Sequence, residues 1–334
     1  MRIFGLKAAK TFSRWVRARM FGGAMILGYH RVANVPNDKY EACVMPEYFA
    51  EHMEMVSRYA HPTSLSKLVQ HLRAGSIPPK SVAVTFDDGY ADNLYEAKPI
   101  LEKFQVPATV FVCTGYAGRE FWWDELEQLV MSSRASLHML CLEVKKSLFK
   151  WDQPNMGHDA GNPEDVALRR QFLHALYQFL LSFDLEDQNH AMNTIRSWSG
   201  LPSDKPSVPR AMNQNELLRI ADDGLIELGV HTRTHLMLPR LSLERQKDEI
   251  IFGKQDLEEL LGRQVAGFAY PHGMVTEDAK RIVREAGFSH ACTSLHDVVR
   301  PGCEMYELTR FWQKNVDGDK FLQGLKLWMG IQVN

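Results

Sequence analysis

Seven short apolar runs rich in β-branched and aromatic residues recur along the chain, at 25–29, 82–86, 108–113, 226–230, 265–270, 288–293 and 307–311. Runs of this length and character read as strands buried on both faces. Between them the apolar positions take up a helical period at 46–59, 64–73, 95–104, 213–221, 242–261 and 276–286, with Ser, Asn or Thr caps at several starts and glycines at several ends. Strand and helix in alternation predict a parallel α/β sheet, and seven units in one chain favour a closed barrel over an open sheet. The alternation lapses over about 121–210. There a helical segment (123–150), a polar loop (151–163) and two further helical pieces predict an insertion into the barrel domain, which spans 25–334.

Composition narrows the function classes. A net charge of -2 over 334 residues gives no basic face for nucleic acid. Five scattered cysteines with no CxxC argue against a disulfide framework or a thiolate zinc site and fit a reducing cytoplasm. Cys113 and Cys292 lie inside apolar runs and are expected in the core. No run of 18 apolar residues is available to span a bilayer. Residues 1–24 carry Arg2, Lys7, Lys10, Arg14, Arg17 and Arg19 among Ile3, Phe4, Leu6, Phe12, Trp15 and Val16. That pattern predicts a basic amphipathic helix, which either packs on the domain or rests peripherally on the anionic inner face of a membrane.

The polar residues that end the strands carry the chemistry. Asp87 and Asp88 directly follow the run 82–86, and two adjacent carboxylates there need a cation or a shared proton. Asp222-Asp223-Gly224 repeats the letters but closes a helix, so the preceding strand is what distinguishes the first pair. His231-Thr232-Arg233-Thr234-His235 again follows a strand, and a four-residue spacing puts both imidazoles on one side of a helical turn, where they can share a metal. With 13 histidines in the chain, such a pair means little except for its position. His30, Pro271-His272 and Arg310 also fall at strand ends, and α/β barrels build their active sites there. Trp122-Trp123-Asp124, after the third strand, combines aromatic faces with a carboxylate and suits a sugar ring or, equally, a helix start packed against the barrel.

In these motifs and their order the chain resembles the polysaccharide deacetylases, carbohydrate esterase family 4, whose NodB-homology fold is a distorted (β/α)7 barrel of parallel strands. Thr85-Phe86-Asp87-Asp88-Gly89 is similar to the first motif, His231 to His235 to the second, and Phe268-Ala269-Tyr270-Pro271-His272-Gly273 to the third. The resemblance implies Asp87 as general base, Asp88, His231 and His235 as ligands of a divalent metal, zinc by default, and the His272 backbone NH at the oxyanion. A water activated at the metal then attacks an acetamide carbonyl.

Two positions depart from the family pattern. Ala269 stands where the third motif begins with Arg, and Arg310 replaces the His of the fifth motif, Leu308-Thr309-Arg310. The general acid is therefore expected at His30 or His272. Arg310 is expected to bind substrate, with Trp123, Asp124 and Tyr270. The reading is N-deacetylation, or N-deformylation, of a saccharide or lipid-linked saccharide in cell-surface polysaccharide biosynthesis. A saccharide-binding protein on the same scaffold and a non-haem iron oxygenase with a two-His, one-carboxylate site are the alternatives.

Overall fold

The computed structural model describes residues 23–329 apart from 36–40, 134, 152–161 and 202–208. The basic helix expected over 1–24 thus falls, for residues 1–22, outside the described residues. The chain forms two compact units, a barrel from Met1–Ala117 with Met212–Asn334 and an inserted unit, Gly118–Ala211.

The barrel strands are β1 (Met25–Tyr29), β2 (Ser81–Phe86), β3 (Ala108–Val112), β4 (Ile226–Val230), β5 (Gly267–Ala269), β6 (His290–Cys292) and β7 (Phe311–Trp312). They pair in the order β6-β5-β4-β3-β2-β1-β7, all in parallel. The segment leading into β7 closes the ring: Leu308 bridges Cys292 in parallel, with Leu308 N donating to Ala291 O and Thr293 N to Leu308 O, both at 2.8 Å.

Every residue of β1, β2 and β3 is buried, because alternate side chains enter two different cores. Leu27, Val84, Val110, Leu228 and Phe268 point outward into the layer beneath the surrounding helices. Ile26, Ala83, Phe111, Ala269 and Cys292 fill the interior, together with Leu65, Leu68, Val69 and Leu72 of the helix Leu65–Arg73. That helix plugs the end where the strands begin, since Ser66 N donates to Glu227 at the start of β4 and Arg73 to Ser289 O before β6. Chemistry is left to the opposite end.

The helices Pro46–Tyr59, Gln214–Ile220, Leu243–Leu261 and Glu277–Glu285 follow the periodic segments closely. Their caps work as the sequence suggests: Asn213 and Glu216 form a capping box, and Ser242 and Thr276 accept from backbone amides three residues on. Two elements differ from expectation. The helix expected over 95–104 begins as a π-helical turn, Asn93–Ala97, before Lys98–Phe104. In the inserted unit, only Trp122–Ser132 of the expected helical segment 123–150 is α-helix; it is followed by an antiparallel hairpin, Leu142–Val144 with Ser147–Phe149. Glu143, Ser147 and Leu148 face outward in that hairpin while Leu142, Val144 and Phe149 are buried, a pattern too short to stand out in sequence. Helices Pro163–Leu180 and Leu185–Ser199 complete the unit.

Candidate metal centre and its carboxylate base

Backbone pairing carried past the strand ends fixes the catalytic face. Asp87 N donates to Tyr29 O, His231 N to Val112 O, and Tyr270 N to Cys292 O. The chain then turns sharply. Asp88, Thr232, His235 and His272 all have positive φ, at 71, 60, 59 and 58°. Such conformations are costly outside glycine, most of all for a β-branched threonine, and collect where a site demands particular side-chain directions. His231 and His235 therefore do not share a helical turn, as their spacing suggested. They converge through two left-handed bends, with ring centroids 5.0 Å apart, and Thr232 Oγ1 holds the second bend by accepting from His235 N at 3.0 Å.

Asp88, His231 and His235 form one cluster whose ligand atoms all lie within 4.8 Å of one another. Asp88 Oδ1 is 3.7 Å from His231 Nε2 and 3.5 Å from His235 Nε2. Two ligands each about 2.1 Å from a tetrahedral ion stand about 3.4 Å apart, so the donor set fits one divalent metal. His231 Nδ1–H donates to Ala269 O at 2.8 Å, which leaves the Nε2 lone pair facing inward. Burial lowers the pKa of His231, and burial with the neighbouring imidazoles puts His235 well below its ordinary value. Both are then neutral, as ligands must be.

Asp87 carries a different partner. Arg310 is fully buried and grips it with two bonds, Nη1 to Oδ1 at 2.6 Å and Nη2 to Oδ2 at 2.8 Å. Burial alone would raise the Asp87 pKa, but the Arg310 charge and the bonds from Arg310 hold it below the usual carboxylate range. Arg310 is itself positioned by Nε donating to Thr293 O and Nη1 to Thr85 Oγ1. The expectation that Arg310 binds substrate is thus corrected: its donors are spent inside the protein and it has no exposed surface. It is the cationic partner of Asp87, reached from the fifth-motif position, where Ala269 left the third-motif position empty. The second Asp-Asp-Gly is neutralised quite differently, Asp222 and Asp223 meeting Lys98 Nζ at 2.9 and 3.2 Å.

His30 follows β1, half-buried, its ring stacked on Trp312 at 4.5 Å and 17°. Burial pushes its pKa down to about 4, against the pull of Asp87. His272 is exposed, with its ring 4.8 Å from that of His235. Two other expectations are corrected. Tyr270 is fully buried and packs edge-on against Phe268 in the outer core, because the strand alternation that turns Ala269 inward turns Tyr270 away. Trp123 is 8% exposed, stacked on Phe121 at 4.5 Å and edge-on to Trp122, so its ring is spent on packing. Asp124 lies in the first turn of the same helix, half-buried.

Sequence reasoning missed the support of the ligand loop. Glu249, buried on the helix Leu243–Leu261, accepts from Arg233 N, Thr234 N and Thr234 Oγ1 at 3.1, 2.7 and 2.6 Å. One turn on, a Cβ at Gly253 would come within 3.1 Å of the Thr232 backbone, so glycine lets the helix approach. A glutamate and a glycine four apart on an amphipathic helix give no local signal of this role.

Among the described residues, one cluster fit to hold a metal lies beside an arginine-held carboxylate on the open end of a parallel barrel, an arrangement suited to hydrolysis. The family model for polysaccharide deacetylase matches residues 74–138 and 189–291. The chain belongs to this family, carbohydrate N-deacetylases that hydrolyse amide bonds. It is 29% identical over 322 residues to the poly-beta-1,6-N-acetyl-D-glucosamine N-deacetylase of Staphylococcus aureus (strain COL), covering 92% of this chain and 83% of the relative. Among solved structures it is similar to IcaB from Ammonifex degensii (TM-score 0.57, 19% identity, 92% and 97% of the two chains). It is also similar to the Streptococcus pyogenes deacetylase PplD in complex with acetate (TM-score 0.58, 17% identity, 91% and 98%).

Proposed function

We propose that this chain removes N-acetyl groups from a β-1,6-linked N-acetylglucosamine polymer, or its lipid-linked precursor, during exopolysaccharide biosynthesis, with zinc held by Asp88, His231 and His235. The observation that carries the reading is the adjacency of that ligand set to the Asp87–Arg310 pair. The bound ion would polarise the acetamide carbonyl and lower the pKa of water. Asp87, kept ionised by Arg310, takes a proton from the attacking water as its oxygen bonds to the carbonyl carbon. The His272 backbone NH faces the developing oxyanion. As the C–N bond breaks, His30 gives the leaving nitrogen its proton, and acetate and the free amine result. With a pKa of about 4, His30 begins the cycle neutral and relays to the leaving nitrogen the proton that Asp87 took from the water, which leaves both groups as they began. His30 is favoured over His272 because its ring is fixed by stacking and lies in the field of Asp87.

Purified protein is expected to contain about one zinc per chain and to release acetate from β-1,6-linked N-acetylglucosamine oligomers, with the N-formyl analogue as comparison. Asp88→Asn should lose both metal and activity. A metal-free protein that binds the oligomer without releasing acetate would instead support a saccharide-binding function. The basic residues between Arg2 and Arg19 support action on lipid-linked saccharide at the cytoplasmic membrane face. Co-sedimentation with anionic but not neutral vesicles is the expected result.

A further inference from the structure

We infer that Trp312 is a positioning residue whose single indole holds both the proton donor and the partner of the base, and that Gly28 is the position that admits it. The inference rests on the reading of His30 as proton donor.

Three observations converge on this ring. His30 stacks on it, centroids 4.5 Å apart and the ring planes nearly parallel at 17°. The Arg310 guanidinium carbon stands 4.6 Å from its centroid, within cation–π range. In the parallel register of β1 and β7, Gly28 is the direct neighbour of Trp312. A Cβ at Gly28 would meet Trp312 Cε3, Cζ3 and Cδ2 at 2.9, 3.1 and 3.2 Å. Those are stiff ring atoms, so any side chain at position 28 displaces the indole. The Gly28-Tyr29-His30 run therefore does two things: it provides the histidine and makes room for the ring the histidine leans on.

The arrangement answers a need the site creates. An imidazole in free rotation about its side-chain bonds spends little time aimed at the leaving nitrogen, and misplacement of about 1 Å can cost about 100-fold in rate. His30 comes from β1 and Arg310 from just before β7, and among the described residues Trp312 is in ring contact with both. Because the ring fixes groups that act on the bond being broken, its loss should appear in kcat.

The test uses the full chain loaded with zinc and acetate release from a β-1,6-linked N-acetylglucosamine oligomer. Trp312→Leu should lower kcat at least about tenfold with KM within about twofold, and Trp312→Phe should recover most of the loss. Gly28→Ala should reproduce the kcat defect while removing no side chain. Added to His30→Gln, Trp312→Leu should cost less than about threefold more, since its main target is already gone. A second readout needs no turnover: the His30 Cε1–H resonance, assigned by its absence in His30→Gln, should lie upfield through the indole ring current and move downfield in Trp312→Leu. Unchanged kcat in Trp312→Leu, a rise in KM with kcat intact, or fully multiplicative losses in the double variant would overturn the inference alone. Full activity in His30→Gln would remove the proton-donor reading and the inference with it.

Discussion

Asp87 and Asp88 are neighbours in the chain, yet one meets a guanidinium and the other two imidazoles. The difference is steric: Asp88 is left-handed, so the two carboxylates leave the backbone in different directions. Arg310 makes the stronger commitment, a bidentate pair with no exposure. Removing one partner of such a pair leaves a buried charge and costs about 3–5 kcal/mol. Arg310→Met should lose stability on that scale by urea unfolding. With the guanidinium gone, burial dominates Asp87, its pKa rises, and the acid limb of kcat/KM moves to higher pH. Arg310→Lys retains one charge without the fork and should fall between. An unmoved acid limb in Arg310→Met would remove Arg310 from the control of the base. The cluster of Asp88, His231 and His235 with Asp87 beside it was legible in sequence because each falls just after an apolar strand. The role of Arg310 was not, since its target lies 223 positions away and only closure of the barrel at Leu308 brings them together.

At the scale of elements, strands announced themselves because both faces are buried, and helices because one face is. What sequence could not convey is the work done between elements. The helix Leu243–Leu261 looks like an ordinary amphipathic helix, yet Glu249 satisfies two amides and a hydroxyl of the ligand loop. Those bonds hold Thr232 and His235 in conformations the chain would otherwise leave. Glu249→Ala should weaken zinc binding about 10–100-fold, measured by competition with a chromophoric chelator, while the helix itself persists in circular dichroism. The π-helical turn Asn93–Ala97 is a parallel case. Asn93 Nδ2 donates to His30 O at 2.9 Å, and π-turns recur where a side chain must be aimed at a site. Asn93→Ala should lower kcat several-fold and leave metal content unchanged; equal loss of kcat and metal would mean a general disturbance of the fold.

For the whole molecule, the barrel has buried imidazoles outside the Asp88, His231 and His235 cluster, and these add to the acid response of His30, His231 and His235. His52 is fully buried, its Nε2–H donating to Val316 O at 2.8 Å and its Nδ1 accepting from the Tyr29 hydroxyl at 3.2 Å. His290 is buried against Ser289. Burial pushes both down to about 4 from 6.5. Between those values the unfolded chain binds a proton that the folded chain refuses, so stability rises with pH across that window. Each contribution is fully present above about pH 6.5, declines as pH falls, and levels off below about 4, an upper bound of about 3 kcal/mol apiece. The urea midpoint of metal-free protein should therefore drop between pH 7 and pH 5, and His52→Gln should flatten that drop whatever its own offset at pH 7. Metal-free protein is the right sample because zinc bound as proposed would stabilise the folded state and add its own proton competition through His231 and His235. Restoring zinc should raise the midpoint at pH 7 and lose that advantage as the ligand imidazoles protonate. A His52→Gln slope equal to that of the parent would show that His52 does not set the acid response.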